Sequence, residues 1–285
     1  MHDTKPSLTA LLVAAARAIP GPLPAVDAQL GAQVGGKFGA VLDLIASNKA
    51  GALLARAAGL ALVDHIHLRT AALDGAVAEA VAAGCRQVVV LGAGYDRRAW
   101  RLDALRECMV WEVDHPATQA EKRRQLGDAP PVAARLVWAA VDFAVDDLDA
   151  QLQANGHDPE RPTLWLWEGV TMYLPQAAQR ATLGVVQARS APQSWLALSY
   201  LTPQLLPGGK LAKAVAAQVF AGIGEPLVGA MSRTQMRALL GAAGFDLASD
   251  TANPEWARRF GGNAGVAFLF RCERVAVALR SQGSP

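Results

Sequence analysis

The chain has 285 residues, 52% hydrophobic and 18% charged, which excludes a disordered chain and leaves room for one large α/β domain or two modest ones. Its formal net charge is +2, from 27 basic and 25 acidic side chains, so no basic stripe for a nucleic-acid partner is written into it. Cys85, Cys108 and Cys272 are odd in number and far apart, which argues against a disulfide framework or a metal site and fits a reducing compartment.

Residues 8–16 (LTALLVAAA) have the length of an export-signal core, but Asp3 stands in the segment before it and Arg17 interrupts it. Leu8, Leu11, Leu12, Ala15 and Ile19 instead share one helical face, predicting an amphipathic helix started by Pro6-Ser7 and ended by Pro20-Gly21-Pro22. No apolar run reaches the length of a membrane span, so a cytoplasmic protein without a membrane partner is expected. Helical patterns continue near 39–47, 50–58 and 70–83. The texture then changes. Gln87–Leu91 (QVVVL) is a short β-branched run ending in Gly92-Ala93-Gly94, a buried strand and its turn. Further strands are predicted at 109–114, 136–143, 163–168, 195–201 and 266–272, with helices near 97–106, 116–126, 175–190 and 232–243.

This alternation predicts an α/β protein with a doubly wound, mostly parallel sheet. Pro203, Pro207-Gly208-Gly209, Gly222, Gly224 and Pro226 break the pattern and suggest an insertion or lid. The expected division is one domain over 1–285: a helical cap (1–83), a core (84–202), a lid insertion (203–231) and a closing segment (232–285).

Ligands of open α/β sheets collect beyond the carboxyl ends of the strands. There the first strand delivers Gly92 and Gly94, where the backbone can turn sharply and approach a ligand. The second delivers Asp114, 20 residues after Gly94, suited to both hydroxyls of an adenosine ribose. Glu112 shares its face but lies further from the strand end. The third ends in Asp142-Phe143, an acceptor and a ring suited to an adenine edge and face, and the fourth in Glu168-Gly169. Arg97 replaces the third glycine of a dinucleotide fingerprint, which lowers an NAD(P)-dependent oxidoreductase reading and favours an adenosyl ligand without phosphates, S-adenosylmethionine.

The run Arg86–Ala99 (RQVVVLGAGYDRRA), followed by Trp111–Gln119 (WEVDHPATQ) and Lys122, closely resembles the leucine carboxyl methyltransferase-like family of S-adenosylmethionine-dependent O-methyltransferases. Ser7–Ala10 with Arg17, Arg69-Thr70, Glu168-Gly169 and Tyr173-Leu174 extend the resemblance over roughly residues 7–202. It implies a seven-stranded Rossmann-like fold, with Gly92 and Gly94 bordering the cofactor's methionine portion and Asp114 on the ribose. It further implies Asp142 and Phe143 on the adenine, Arg69 and Arg17 on the methionine carboxylate, and Glu168 near the ammonium. The implied acceptor is a carboxylate or hydroxyl of a small molecule, carboxylate first. A carboxylate needs no base, whereas for a hydroxyl His65, His67 and Tyr200 are the candidates.

Duller readings stand beside each of these. Asp96 and Asp142 could cap a helix or turn, Arg17 and Arg69 could be solvated members of an Arg-rich chain, and a lone His is usually structural. A non-catalytic member that binds cofactor or a partner is a further alternative. The order glycine turn, acid, Glu-Gly strand end is what raises the residues together.

Overall fold

The computed structural model describes residues 13, 14, 16, 17, 62–143, 145–203, 227–262 and 267–281. Its described elements run α1 (Leu62–Ala82), β1 (Gln87–Leu91), α2 (Arg98–Arg101), β2 (Met109–Asp114), α3 (Pro116–Leu126), β3 (Arg135–Ala140), α4 (Leu148–Ala154) and β4 (Thr163–Trp167). Then follow α5 (Gln176–Ala188), β5 (Trp195–Leu201), α6 (Arg233–Ala242), β6 (Phe245–Ala252), α7 (Asn253–Phe260) and β7 (Glu273–Arg280). The seven strands form one sheet in the order β3-β2-β1-β4-β5-β7-β6. The first five are parallel, and β7 runs antiparallel to both β5 and β6. Strand order therefore reverses between β1 and β4, the switch point beyond whose carboxyl ends ligands of such sheets bind.

Central strands of such a sheet are covered on both faces, and all five residues of β1 and of β4 are buried. Val88, Val90, Leu164 and Leu166 pack on one face with Leu68, Leu73 and Val77 of α1. Val89, Leu91, Trp111, Trp165 and Trp167 pack on the other with Leu183 and Val186 of α5 and Leu240 of α6. Two of the buried indoles meet the requirement for a hydrogen-bond partner locally: Trp111 donates to the Asn155 carbonyl (2.9 Å) and Trp165 to Ser190 Oγ (2.8 Å).

The first five strands lie where the sequence predicts them, β3 ending at Ala140 rather than 143. The predicted strand at 266–272 is a correction: Phe268–Phe270 form a 3₁₀ turn, and the strand begins at Glu273. Apolar content alone suggested β structure there, but the Phe270 ring is used to stack on His65 (4.6 Å between centroids). Strand β6 (FDLASDTA) was not predicted, because an edge strand with exposed polar positions lacks a continuous apolar run. Helices α4 and α7 are likewise additions, and the predicted helix at 97–106 divides into α2 and a 3₁₀ turn at Asp103–Leu105. The predicted helices at 39–47 and 50–58, most of the N-terminal helix, and residues 204–226 of the predicted insertion lie outside the described residues. Among the described residues no helix is long and apolar enough to cross a membrane.

The turn after β1 depends on Gly92, whose φ is +64° and whose Cβ, if it had one, would lie 2.5 Å from Val170 Cγ2. Gly92→Ala is expected to destabilise the protein by about 1–3 kcal/mol in denaturant titrations. Adding Val170→Ala should recover the contact part of that loss but not the backbone part.

Candidate functional site

Asp114 ends β2 beside the glycine turn. Its Oδ2 accepts the Gly94 N–H (2.5 Å) and its Oδ1 the His115 N–H (2.6 Å). A carboxylate has about four lone-pair sites, so two amide bonds orient it while leaving acceptor capacity on both oxygens. Burial pushes its carboxyl up, and the two amides pull it the other way. Glu112, two residues earlier on the same face, is fully buried with Lys122 Nζ at 2.6 Å. Burial still lifts its carboxyl to about 7. The acid at the strand tip is thus Asp114, and Glu112 is committed beneath it. His115 Nε2 lies 3.7 Å from Asp142 Oδ2, which links the tips of β2 and β3, and the neighbouring Phe143 ring is 41% exposed.

Beyond β4, Glu168 is the meeting point of three arginines. Its Oε1 receives Arg17 Nη2 (2.5 Å) and Arg69 Nε (3.0 Å), and its Oε2 pairs with Arg98 Nη1 (2.8 Å). Burial alone would raise its pKa, but Arg17, Arg98 and Arg69 hold it well below the usual carboxylate range. Arg69 also reaches Glu273 Oε1 through Nη1 (2.7 Å). Arg98 pairs with Asp96 and Asp74 as well, and Arg101 shares Asp74. Arg17 and Arg69 are 8% and 4% exposed, so they are not the solvated arginines that composition alone would suggest. Helix α1 holds both: Arg69 is part of it, and its Thr70 Oγ1 accepts from Arg17 Nε (3.2 Å).

The structure brings Gly94 and Asp114 together directly, and gathers Arg17, Arg69 and Glu168 into one cluster. The three candidate bases lie in separate buried contacts. His65 Nε2 donates to Glu273 Oε2 (2.5 Å), with Nδ1 3.0 Å from Asn253 Oδ1. His67 Nε2 donates to the Ala16 carbonyl (3.0 Å), tying α1 to the segment that carries Arg17. The Tyr200 hydroxyl donates to Asp250, and burial together with Asp250 raises its pKa. Asp96 Oδ1 accepts the Arg98 N–H (2.7 Å) ahead of α2, whose N-cap residue is Arg97. The sequence reading missed Arg98, Glu273, Asp74 and Asn253. Arg98 was hidden among 21 arginines, and Glu273 sat just past the misplaced strand; only the partners reveal them.

Strand order, glycine turn and strand-tip acid define the class: an α/β methyltransferase fold. A Thermobifida fusca protein described as a methyltransferase covers 97% of this chain and 96% of its own, with TM-score 0.61 and 17% identity. An O-methyltransferase family protein from Burkholderia thailandensis covers 84% of this chain and 62% of its own, with TM-score 0.52 and 14% identity. At these identities the likeness shows the fold. Residues 10–187 match the leucine carboxyl methyltransferase family, and the chain belongs to it. A relative from Mycobacterium sp. (strain KMS), carrying the name of an S-adenosyl-L-methionine-dependent methyltransferase, is 42% identical over 204 residues, 68% of this chain and 67% of its own. A relative of the same description from Streptomyces coelicolor is 42% identical over 201 residues, 67% of this chain and 64% of its own. The chain is an S-adenosylmethionine-dependent methyltransferase, and the dinucleotide alternative is set aside.

The buried acids make opposite contributions to stability. Glu273 is held at about 2 against an ordinary 4.5, because Arg69 and His65 outweigh its burial. Its contribution is complete above about 4.5 and is lost as pH falls toward 2. Glu112 is raised to about 7, so the folded state keeps a proton that the unfolded state releases, and stability declines as pH rises from about 4.5 to 7. Denaturation midpoints measured from pH 2 to 8 are expected to show both limbs, with Glu112→Gln flattening the upper one.

Proposed function

We propose that this methyltransferase acts on oxygen, with a small-molecule carboxylate as the preferred acceptor. One observation carries the preference: His65, His67 and Tyr200 are each committed to a buried partner, and the Tyr200 phenol is moved away from the range of a useful base. A carboxylate acceptor is already ionised at neutral pH and asks no base of the chain.

The residues present fit the cofactor. Without a Cβ at Gly92 the turn stays open against Val170, and Asp114 arrives oriented by two amides with lone pairs to spare for ribose hydroxyls. Asp142 and Phe143 would hold the adenine by its edge and face. The cluster of Arg17, Arg69 and Glu168 offers both signs of charge to the methionine zwitterion. When bound, S-adenosylmethionine supplies a methyl group already activated on a sulfonium. What remains for the chain is alignment of the acceptor oxygen and exclusion of water. We assign the reading of the acceptor to the helical cap (1–83) and residues 203–231, around the core at 84–202 and the closing segment at 232–285.

A radiolabelled methyl-transfer screen over small carboxylic acids and phenols tests the assignment. The expected product loses its label in mild base, as an ester does; a base-stable product would overturn the carboxylate preference. Asp114→Ala is expected to weaken cofactor binding by roughly tenfold or more, read by calorimetry.

A further inference from the structure

Behind the residues at the strand tips lies a buried relay that starts at β7. Glu273 is the first residue of β7 and is 6% exposed. One of its oxygens accepts from Arg69 Nη1 (2.7 Å) and the other from His65 Nε2 (2.5 Å). His65 is fixed in turn: Asn253, at the start of α7, lies against its other nitrogen, and its ring stacks on Phe270 (4.6 Å, 10° between planes) with Trp256 further out at 6.3 Å. Asn253, His65 and Glu273 therefore form one chain of contacts that ends on the Arg69 guanidinium.

That guanidinium has a fork to be steered. Nε and Nη2 form the side edge that can clamp a carboxylate with two parallel bonds. Glu168 takes only Nε, at 3.0 Å. Nη2 has no acceptor among the described residues and lies 3.8 Å from where a Cβ on Gly169 would fall. With Nη1 drawn toward Glu273, the plane is held so that Nη2 stays off Glu168. Were Glu273 to release it, the fork could close on Glu168 with both nitrogens.

We propose that Glu273, braced by His65, is a positioning residue that keeps Arg69 Nη2 presented to the methionine carboxylate of the cofactor. This rests on the reading that Arg69 binds that carboxylate. Glu273 touches neither cofactor nor acceptor; it acts through Arg69 alone. Its effect is therefore confined to ligands that carry the amino-acid portion.

Two ligands separate this from a general structural role: S-adenosylhomocysteine, which has the carboxylate, and 5′-methylthioadenosine, which lacks it. In calorimetric titrations, Glu273→Gln is expected to weaken S-adenosylhomocysteine about tenfold, the loss of one charge-assisted contact, while leaving methylthioadenosine within about twofold. Arg69→Lys should show the same selectivity, and the double variant should be no worse than Arg69→Lys alone. If Glu273→Gln does not fold, His65→Gln is titrated instead, with a smaller loss of the same selectivity expected. Equal weakening of both ligands by the Glu273 or His65 variant overturns the proposal. So does unchanged S-adenosylhomocysteine binding by that variant alongside a loss in Arg69→Lys, in which case the reading of Arg69 stands. Unchanged binding in Arg69→Lys overturns that reading and the proposal with it.

Discussion

The carboxyl end of the parallel strands depends on one buried carboxylate holding three guanidiniums. Glu168 joins Arg17 of the N-terminal segment, Arg69 of α1 and Arg98 of α2 to the tip of β4. Burying any of these charges singly is costly, and they are tolerable only as a set. In the ion pairs among the described residues, Arg17, Arg69, Arg98 and Arg101 face Asp74, Asp96, Glu168 and Glu273. Truncating one member of such a network leaves its partner buried and uncompensated, at a cost of about 3–5 kcal/mol. The arrangement therefore couples Arg17 and α1 to the geometry of the strand tips.

The sheet explains why these groups meet. Parallel strands β1 to β5 deliver their carboxyl ends to one edge, where the glycine turn, Asp114, Asp142 and Glu168 all lie. Because β7 runs antiparallel to β5, its first residue rather than its last arrives at that edge, with Leu201 opposite Glu273. One reversed strand thus brings the closing segment into the arginine cluster. The shallow groove lined by Pro159, Glu160, Ser190 and Arg280 lies at the other end of the strands and belongs to none of this.

Much of this was legible in the sequence, for identifiable reasons. Central strands read clearly because burial on both faces demands continuous β-branched or aromatic runs such as QVVVL and TLWLW. The glycine turn and Asp114 read clearly because their spacing reflects one β–α–β geometry. The edge strand β6 was hidden by its polar positions, and β7 was displaced by an apolar stretch used for a turn and for stacking on His65. Ion-pair partners were the least visible. Arg69 was singled out by its motif, but nothing local in the sequence pairs it with Glu273, 204 residues away. Composition even argued against reading any single arginine, although burial shows which ones are held.

The balance of charge also bears on which adenosyl ligand this edge can accept. The methionine portion of S-adenosylmethionine carries one carboxylate and one ammonium, so on the proposed reading it enters the cluster without changing its net charge. On that reading Arg69, held by Glu273, presents Nη2 to the carboxylate, while the ammonium lies beside Glu168. A dinucleotide would bring a pyrophosphate, two negative charges with no cation of its own, into a cluster whose guanidiniums are already paired with carboxylates. In dinucleotide proteins that charge is met by a helix N-terminus and a third glycine permitting close helix–strand packing. Here the corresponding position is Arg97, 8% exposed, and the helix that follows has only four residues, a poor source of dipole. On the proposed reading, the same turn that opens a dinucleotide site elsewhere is in this chain built around a zwitterion.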